Sequence, residues 1–263
     1  MHPDLEVALE AARAGAAVVR AGFAGDVAVR LKGDVDPVTA IDTAAEAAIF
    51  GVISARRPGD HVLGEESGGS AWDEERVWIV DPLDGTINFL HGIPHVAVSV
   101  ALWEQGAARV GVVGDVMRDE TFTAVAGGGA EMNGSPIGVS KFEEMTDSVV
   151  ATGFPYDRRT HAAAYATTLG AVLSEIQGIR RFGSAALDLA WVACGRYDAY
   201  WEYGLAPWDA AAGALLVVEA GGRVTDHSER RHRLDSPSVV ASNGHIHRSL
   251  SKIVAANLPE HLP

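Results

Sequence analysis

A layered α/β or α+β sandwich is the fold class that this sequence predicts, on three observations. Apolar residues at helical spacing open the chain and return in its second half. Between them lie short apolar runs separated by turn residues, the pattern of neighbouring antiparallel strands. No glycine-rich strand-to-helix turn starts a doubly wound nucleotide fold, because the run Gly127, Gly128, Gly129 lacks that context. A chain of 263 residues, 48% of them apolar, can bury a substantial core. Hydrophobic segments occur throughout, with no charge block or Pro/Ser-rich linker between them. Residues 1–263 therefore read as a single unit, layered internally into halves of about 1–145 and 146–263.

The opening segment, PDLEVALEAARAGAAVVRAGF, predicts a helix from Pro3 to Phe23. Its acids lie near the amino end, where they suit the helix dipole and argue against a secretory leader. A second helix is predicted from Thr39 to Arg57, with Asp42 and Glu46 on one face because they are four residues apart. Short strands follow around Val62 and from Val77 to Asp81, the latter ended by Pro82 and Gly85, with a short helix starting near Thr86. Val96–Trp103, Arg109–Asp115 and Glu120–Ala126 read as antiparallel neighbours, and GGGAEMNGSPI as a hairpin or bulged loop. Then come a strand near Val149, helices His161–Ile176 and Ser184–Cys194, a strand Tyr197–Glu202 and a helix at Trp208. Strands near Val224 and Val239 and a helix after Gly244 complete the chain.

Composition excludes several function classes. Acidic residues outnumber basic ones 35 to 21, for a formal charge of −14, and no Lys/Arg stripe or aromatic-interleaved basic patch is present, so no nucleic-acid partner is expected. No apolar run approaches the roughly 20 residues of a transmembrane helix, so no membrane partner is expected. Cys194, the single cysteine, cannot form an intrachain disulfide, which fits a reducing cytoplasm, and it reads as a small helix-packing residue. Asn133-Gly134-Ser135 matches a glycosylation sequon but reads as a turn. Ser184 sits in no G-x-S-x-G elbow, so a serine hydrolase has no foothold. His91, His95, His245 and His247 lack zinc-site spacing with cysteines. Trp72, Trp191 and Trp201 read as packing anchors.

The chemistry concentrates in four acidic segments. In WIVDPLDGTIN, an apolar strand delivers Asp81 and Asp84 into a turn punctuated by Pro82 and Gly85. Two carboxylates three residues apart at a strand end suit Mg²⁺, which takes hard oxygen ligands in rigid octahedral geometry. Gly85 lets the backbone approach a ligand closely, and Thr86 offers a hydroxyl. HVLGEESGG places Glu65 and Glu66 directly after a short strand, in a glycine-rich loop where packing does not explain them. LKGDVDPVTAIDTAAE carries Lys32, Asp36, Thr39, Asp42 and Glu46. WEYGLAPWDAAAGALLVVEAGG sets Asp209 just inside a helix, where by itself it reads as a helix-start residue.

In chain order, LKGDVDPVTAID, then GEES, then DPLDGTINF, then WDAAAGALLVVEAGG, with GSAALDLAWVACGRYDAYWE between the third and last, the segments resemble the inositol monophosphatase family of metal-dependent, lithium-sensitive sugar phosphatases. The resemblance runs from the first helix to beyond Asp209. It implies an αβαβα five-layer sandwich, a homodimer, and hydrolysis of a small-molecule phosphate ester using two or three Mg²⁺ ions per active site. Residue by residue, it implies Glu65, Asp81 and the Leu83 carbonyl as ligands of a first ion, and Asp81, Asp84 and Asp209 as ligands of a second. Glu65 would also face a weaker third ion, and Thr86, supported by Asp42, would orient or deprotonate the attacking water. Glu65, Thr86, Asp42 and Asp84 are thus the implied catalytic set. The Gly85 and Thr86 amides would hold the phosphate. Asp84, Gly183, Ser184, Ala185 and Glu202, with Asp209 nearby, would meet the rest of the substrate. Lys32 matches a basic residue near the metal loop.

Elementary chemistry agrees with that assignment. A phosphate monoester is a dianion at neutral pH, and a chain of charge −14 has little positive side-chain charge to offer it, so cations between acidic loops and phosphate resolve the repulsion. The substrate is less defined. Related enzymes act on inositol monophosphates, fructose 1,6-bisphosphate, histidinol phosphate and 3′-phosphoadenosine 5′-phosphate, and only alcohol-side residues separate these. GSAALDLA followed by Glu202 resembles the inositol-type pattern. Arg180 or Arg181 offers a charge for a second phosphate, which keeps fructose 1,6-bisphosphate or a broad range open. Ala206-Pro207 departs from a common animal pattern and puts fine inositol recognition in doubt. A regulatory interaction partner of transcription machinery is the reading from another class, disfavoured by the full set of carboxylates.

Overall fold

The computed structural model describes residues 2–23, 25, 29–31, 37–68 and 75–259. Lys32, Asp36 and Trp72 lie outside the described residues. Helix α1 (Pro3–Gly22) leads through a two-stranded antiparallel ladder, β1 (Val29–Leu31) with β2 (Pro37–Thr39), into α2 (Ala40–Arg56).

A seven-stranded sheet follows in strict chain order: β3 (His61–Gly64), β4 (Arg76–Asp84), β5 (Ala97–Glu104), β6 (Ala107–Asp115), β7 (Glu120–Val125), β8 (Gly129–Met132) and β9 (Ser135–Pro136). Only β3 and β4 are parallel, and β4 through β9 form an antiparallel meander, as the spacing of the apolar runs predicts. The short α3 (Thr86–Leu90) interrupts it after β4. Asn133 and Gly134 turn the chain between β8 and β9 with φ of 51° and 77°.

The second sheet has the order β11 (Gly178–Arg180), β10 (Val149–Thr152), β12 (Ala199–Tyr203), β14 (Ser238–Ser242), β13 (Arg223–Thr225). Helices α4 (Arg158–Leu173), α5 (Ala185–Ala193), α6 (Pro207–Glu219) and α7 (His247–Ala256) complete the chain. No described helix is long and apolar enough to cross a membrane.

Five layers result. Helices α1 and α2 cover the outer face of the first sheet, α5 and α6 lie between the sheets, and α4 and α7 cover the outer face of the second. The strands therefore bury both faces, which is why they read as continuous apolar runs instead of alternating ones. On β4, Trp78 and Val80 pack toward α1 and α2, whereas Val77 and Ile79 join the central layer with Leu187, Leu189 and Leu216. On β12, Ala199, Trp201 and Tyr203 pack outward, and Tyr200 faces the central layer. Each fully buried Leu or Ile side chain in these layers contributes about 1.5–3 kcal/mol. The α1–α2 contact depends on a missing side chain, since a Cβ at Gly15 would stand 2.7 Å from Cδ1 of Ile49.

Several boundaries differ from the sequence expectation. The strand at Val77 does not stop at Asp81; it runs to Asp84 across a register shift between those two residues. Helix α4 begins three residues earlier than expected and ends at Leu173, with non-helical backbone at His161. The β1–β2 ladder and the edge strand β11 were not anticipated, because three-residue strands leave no periodic signature. Trp201 is a core anchor at 2% exposure, as expected, and Trp191, half-buried, packs against the central layer with the Arg118 and Arg196 guanidiniums 5.0 and 5.1 Å from its ring centroid. Cys194 caps the carboxyl end of α5 and is half-buried.

Candidate active site

The site is assembled where β4 runs out. Thr39 caps α2: its hydroxyl accepts from the N–H groups of Ile41 and Asp42, and Asp42 in turn accepts from the Thr39 N–H at 2.9 Å. This reciprocal cap leaves Asp42 Oδ1 facing Thr86, whose Oγ1 lies 3.1 Å from that oxygen and 3.1 Å from the Leu83 carbonyl. One hydroxyl proton serves one of the two acceptors at a time. Burial pushes the Asp42 carboxyl above its usual range despite its hydrogen bonds.

A cavity in front of Thr86 is lined by Glu65, Asp81, Leu83, Asp84, Gly85, Gly183, Ser184, Ala185, Glu202 and Asp209. Every described residue to which the resemblance gives a catalytic, metal or substrate role lies on it, except Asp42, which stands behind Thr86. Gly85 is the hinge of the arrangement: its φ is +94°, and a Cβ there would fall 3.0 Å from the His95 carbonyl and 3.3 Å from the Gly183 carbonyl. Only glycine meets both demands.

The carboxylates are held by different elements. Asp81 Oδ1 accepts the Leu83 N–H at 2.9 Å, the local turn that shifts the register of β4. Asp209 sits at the third position of α6, after Pro207, and accepts the Ala206 N–H at 2.7 Å. Asp84 Oδ2 accepts from Ser184 Oγ at 2.6 Å and from the Ala186 N–H at 2.7 Å, which ties the first half of the chain to the start of α5. Glu65 follows β3, and its N–H donates to the Val80 carbonyl at 3.2 Å.

Electrostatics follow from this crowding. Burial, then the charges of Glu65, Asp84 and Asp209, push Asp81 well above the usual carboxylate range. Asp209 rises for the same reasons, burial first, then Asp84 and Glu65. Burial lifts Asp84 to about 6, against the lowering effect of Ser184 and the Ala186 N–H. Glu202, on β12, is pushed by burial to about 7 while accepting a hydrogen bond from Tyr200. A Cβ at Gly153 would fall 1.8 Å from Glu202 Oε2, so the carboxylate occupies the space a side chain would take.

No three Asp, Glu, His or Cys side chains among the described residues form a ready cluster for an ion as placed. Asp81 and Asp209 each spend one oxygen on the main chain. The residue types still fit a hard divalent cation: four carboxylates, from Glu65, Asp81, Asp84 and Asp209, line one cavity with Leu83, and a cation would reverse their mutual repulsion.

Sequence reasoning missed part of this wall. Phe154, Tyr156 and Arg158 line the cavity with Arg181, whereas Arg180 belongs to the edge strand β11. Nothing in their spacing marked Phe154, Tyr156 or Arg158. Ser184, placed on the alcohol side by resemblance, spends its hydroxyl on Asp84. Tyr200 had a usable signal, its position two residues before Glu202 on one strand face.

The sequence model of the Inositol monophosphatase family matches residues 1–262. The chain is 46% identical over 253 residues to an inositol-1-monophosphatase of Mesorhizobium japonicum, with 95% of each covered. It is 41% identical over 265 residues to the Nus factor SuhB of Escherichia coli strain K12, covering 100% of this chain and 98% of that one. Among solved structures, the extragenic suppressor protein suhB of Bartonella henselae superposes with a TM-score of 0.90 at 44% identity, over 95% of this chain and 98% of that chain. With its fold, its order of motifs and its whole length matched in this way, the chain belongs to the inositol monophosphatase family and is a phosphoric monoester hydrolase.

Proposed function

We propose that the chain releases phosphate from an inositol monophosphate by Mg²⁺-dependent attack of water, with two or three ions bound per active site. The observation that carries this reading is the convergence of Glu65, Asp81, Asp84, Asp209 and the Leu83 carbonyl on one cavity, with the Thr86–Asp42 pair at its back. The family is generally metal-dependent, which supports the same reading. Glu65, Asp81 and Leu83 would hold one ion, Asp81, Asp84 and Asp209 a second, and Glu65 would face a third.

Bound cations supply charge neutralisation for the phosphate, a more acidic water and stabilisation of the leaving oxygen. The chain's own groups do the rest. Thr86 hydrogen-bonds the attacking water and Asp42 receives the hydroxyl proton, keeping the Thr86 oxygen free to accept. The main-chain N–H groups of Gly85 and Thr86 orient the phosphate. Glu202, with Gly183 and Ala185, meets the hydroxyls of the alcohol, and Tyr200 fixes the Glu202 carboxylate.

One observation favours a second reading. Arg158 and Arg181 line the same cavity, stacked 5.7 Å from Tyr156 and 5.8 Å from Phe154, and could neutralise a second phosphate. Fructose 1,6-bisphosphate or a broad range of sugar phosphates would then be accepted. The reading from another class, a regulatory partner, is supported by the names of the Nus factor relatives. We further propose a homodimer in the cytoplasm, without nucleic-acid or membrane partners.

The test is phosphate release from inositol 1-phosphate, fructose 1,6-bisphosphate, histidinol phosphate and 3′-phosphoadenosine 5′-phosphate, with and without Mg²⁺. Mg²⁺-dependent preference for inositol 1-phosphate is expected. Preference for the bisphosphate would move the assignment to the second reading, and no release from any would favour the regulatory one.

A further inference from the structure

Glu46 has no part in the chemistry above, yet it is 5% exposed and has no cationic partner among the described residues. It lies on α2 one turn beyond Asp42. Its two oxygens both serve a single turn: Oε2 accepts the Glu66 N–H and Oε1 the Ser67 N–H, each at 2.9 Å. Burying a carboxylate is costly unless its lone pairs are satisfied, and these charge-assisted bonds are of the strong kind. The turn is closed by the Gly68 N–H to the Gly64 carbonyl at 3.1 Å, and the Glu65 N–H ties its start to β4. Gly64 completes the fit, because a Cβ there would stand 2.3 Å from Glu46 Oε2 and 2.8 Å from Cζ of Phe50. Glu65 is therefore clamped on both sides, by the sheet through its own N–H and by α2 through the next two.

We propose that Glu46 is a positioning residue for cation binding: it holds the main chain of Glu66 and Ser67 so that Glu65 stays on the cavity it lines with Asp81. This rests on the reading of Glu65 as a cation ligand. Asp42 and Glu46 then make α2 a common support for the Thr86 hydroxyl and the Glu65 turn. A glutamine at position 46 keeps the volume but offers one oxygen and turns an NH₂ group against the other N–H.

The experiment is calorimetric titration of Mg²⁺ into the metal-free wild type, Glu46→Gln, Ser67→Pro and Glu65→Gln, with the thermal midpoint of each metal-free protein. Glu46→Gln is expected to weaken Mg²⁺ binding about 10- to 100-fold, the range typical of residues supporting a ligand, while kcat at saturating Mg²⁺ recovers to within about threefold of wild type. Ser67→Pro removes one N–H donor to Glu46 at an exposed position and restricts the backbone of Glu66 within the same turn, leaves the Glu46 side chain in place, and is expected to weaken binding in the same direction. Mg²⁺ affinity within twofold of wild type in Glu46→Gln or Ser67→Pro, beside a clear loss in Glu65→Gln, overturns the positioning role. Unchanged affinity in Glu65→Gln as well overturns the ligand reading on which it rests.

Discussion

Replacing Asp84 with asparagine separates stability from function at this site. The Asp84 carboxyl is buried and its pKa is raised from 3.8 to about 6 in the folded chain. The folded state thus holds a proton that the unfolded chain has already released between those pH values, so stability falls as pH rises through the window. Above about pH 6 the full cost of ionising Asp84 is present. At about 1.4 kcal/mol per pH unit it amounts to about 3 kcal/mol. Asparagine carries no charge, and its oxygen still accepts from Ser184 and the Ala186 N–H. Metal-free Asp84→Asn is therefore expected to unfold at higher temperature than the metal-free wild type at pH 8, by roughly 6–12 °C at this chain length. The gap shrinks as pH falls through 6 and is gone below about 3.8. Adding Mg²⁺ to about 100 times its Kd returns about 2.7 kcal/mol to the wild type and little to the variant. The assay is thermal unfolding followed by circular dichroism at pH 8 and pH 4, with and without Mg²⁺, beside phosphate release. A metal-free variant no more stable than wild type at pH 8, or one that keeps its turnover at saturating Mg²⁺, refutes the reasoning.

Thr86→Val deletes the hydroxyl between Asp42 and the Leu83 carbonyl; kcat should fall by about 100-fold in a folded protein, and a loss under threefold in steady-state kinetics would remove Thr86 from water activation. Gly85→Ala forces a Cβ into the 3.0 Å approach of the His95 carbonyl at φ +94°, with a backbone cost of about 1–2 kcal/mol before the clash; urea unfolding should show at least that much, and an unchanged midpoint would contradict the described turn. Glu202→Ala should change the ranking of inositol 1-phosphate against other alcohols more than turnover of a minimal phosphate ester, and equal losses on both would take Glu202 off the alcohol side.

Much of the cavity lining was legible because its residues cluster in sequence. Asp81, Asp84, Gly85 and Thr86 fall within six positions, and the punctuation by Pro82 and Gly85 announces a turn whatever the rest of the chain does. The pairing of Thr39 with Asp42 is likewise a local capping pattern. The partners of Ser184 and Glu46 were not legible, because Asp84 and the Glu66–Ser67 turn lie 100 and about 20 residues away. Nothing in local periodicity reports where a hydroxyl or a carboxylate will be spent at such a distance. The boundary of β4 was missed for a related reason: Pro82 ends a strand by propensity, but Asp81 folds back onto the Leu83 N–H and the strand resumes to pair Asp84 with Ala97.

Taken alone, the sequence determined the helices and the longer strands, the antiparallel meander of the first sheet and the acid-rich character of the site. These depend on hydrophobic period, turn residues and residue type, all of which are local. The tertiary structure decided what brings Asp209, Glu202 and Arg181 to the end of β4: α5 and α6 must fill the space between two sheets, and their amino ends then meet the first sheet at that edge. It also decided that Arg181 and not Arg180 faces the cavity, and that Glu46 serves the Glu65 turn. Packing of layers sets those distances, and the two periodicities that a sequence displays cannot encode which layer ends beside which.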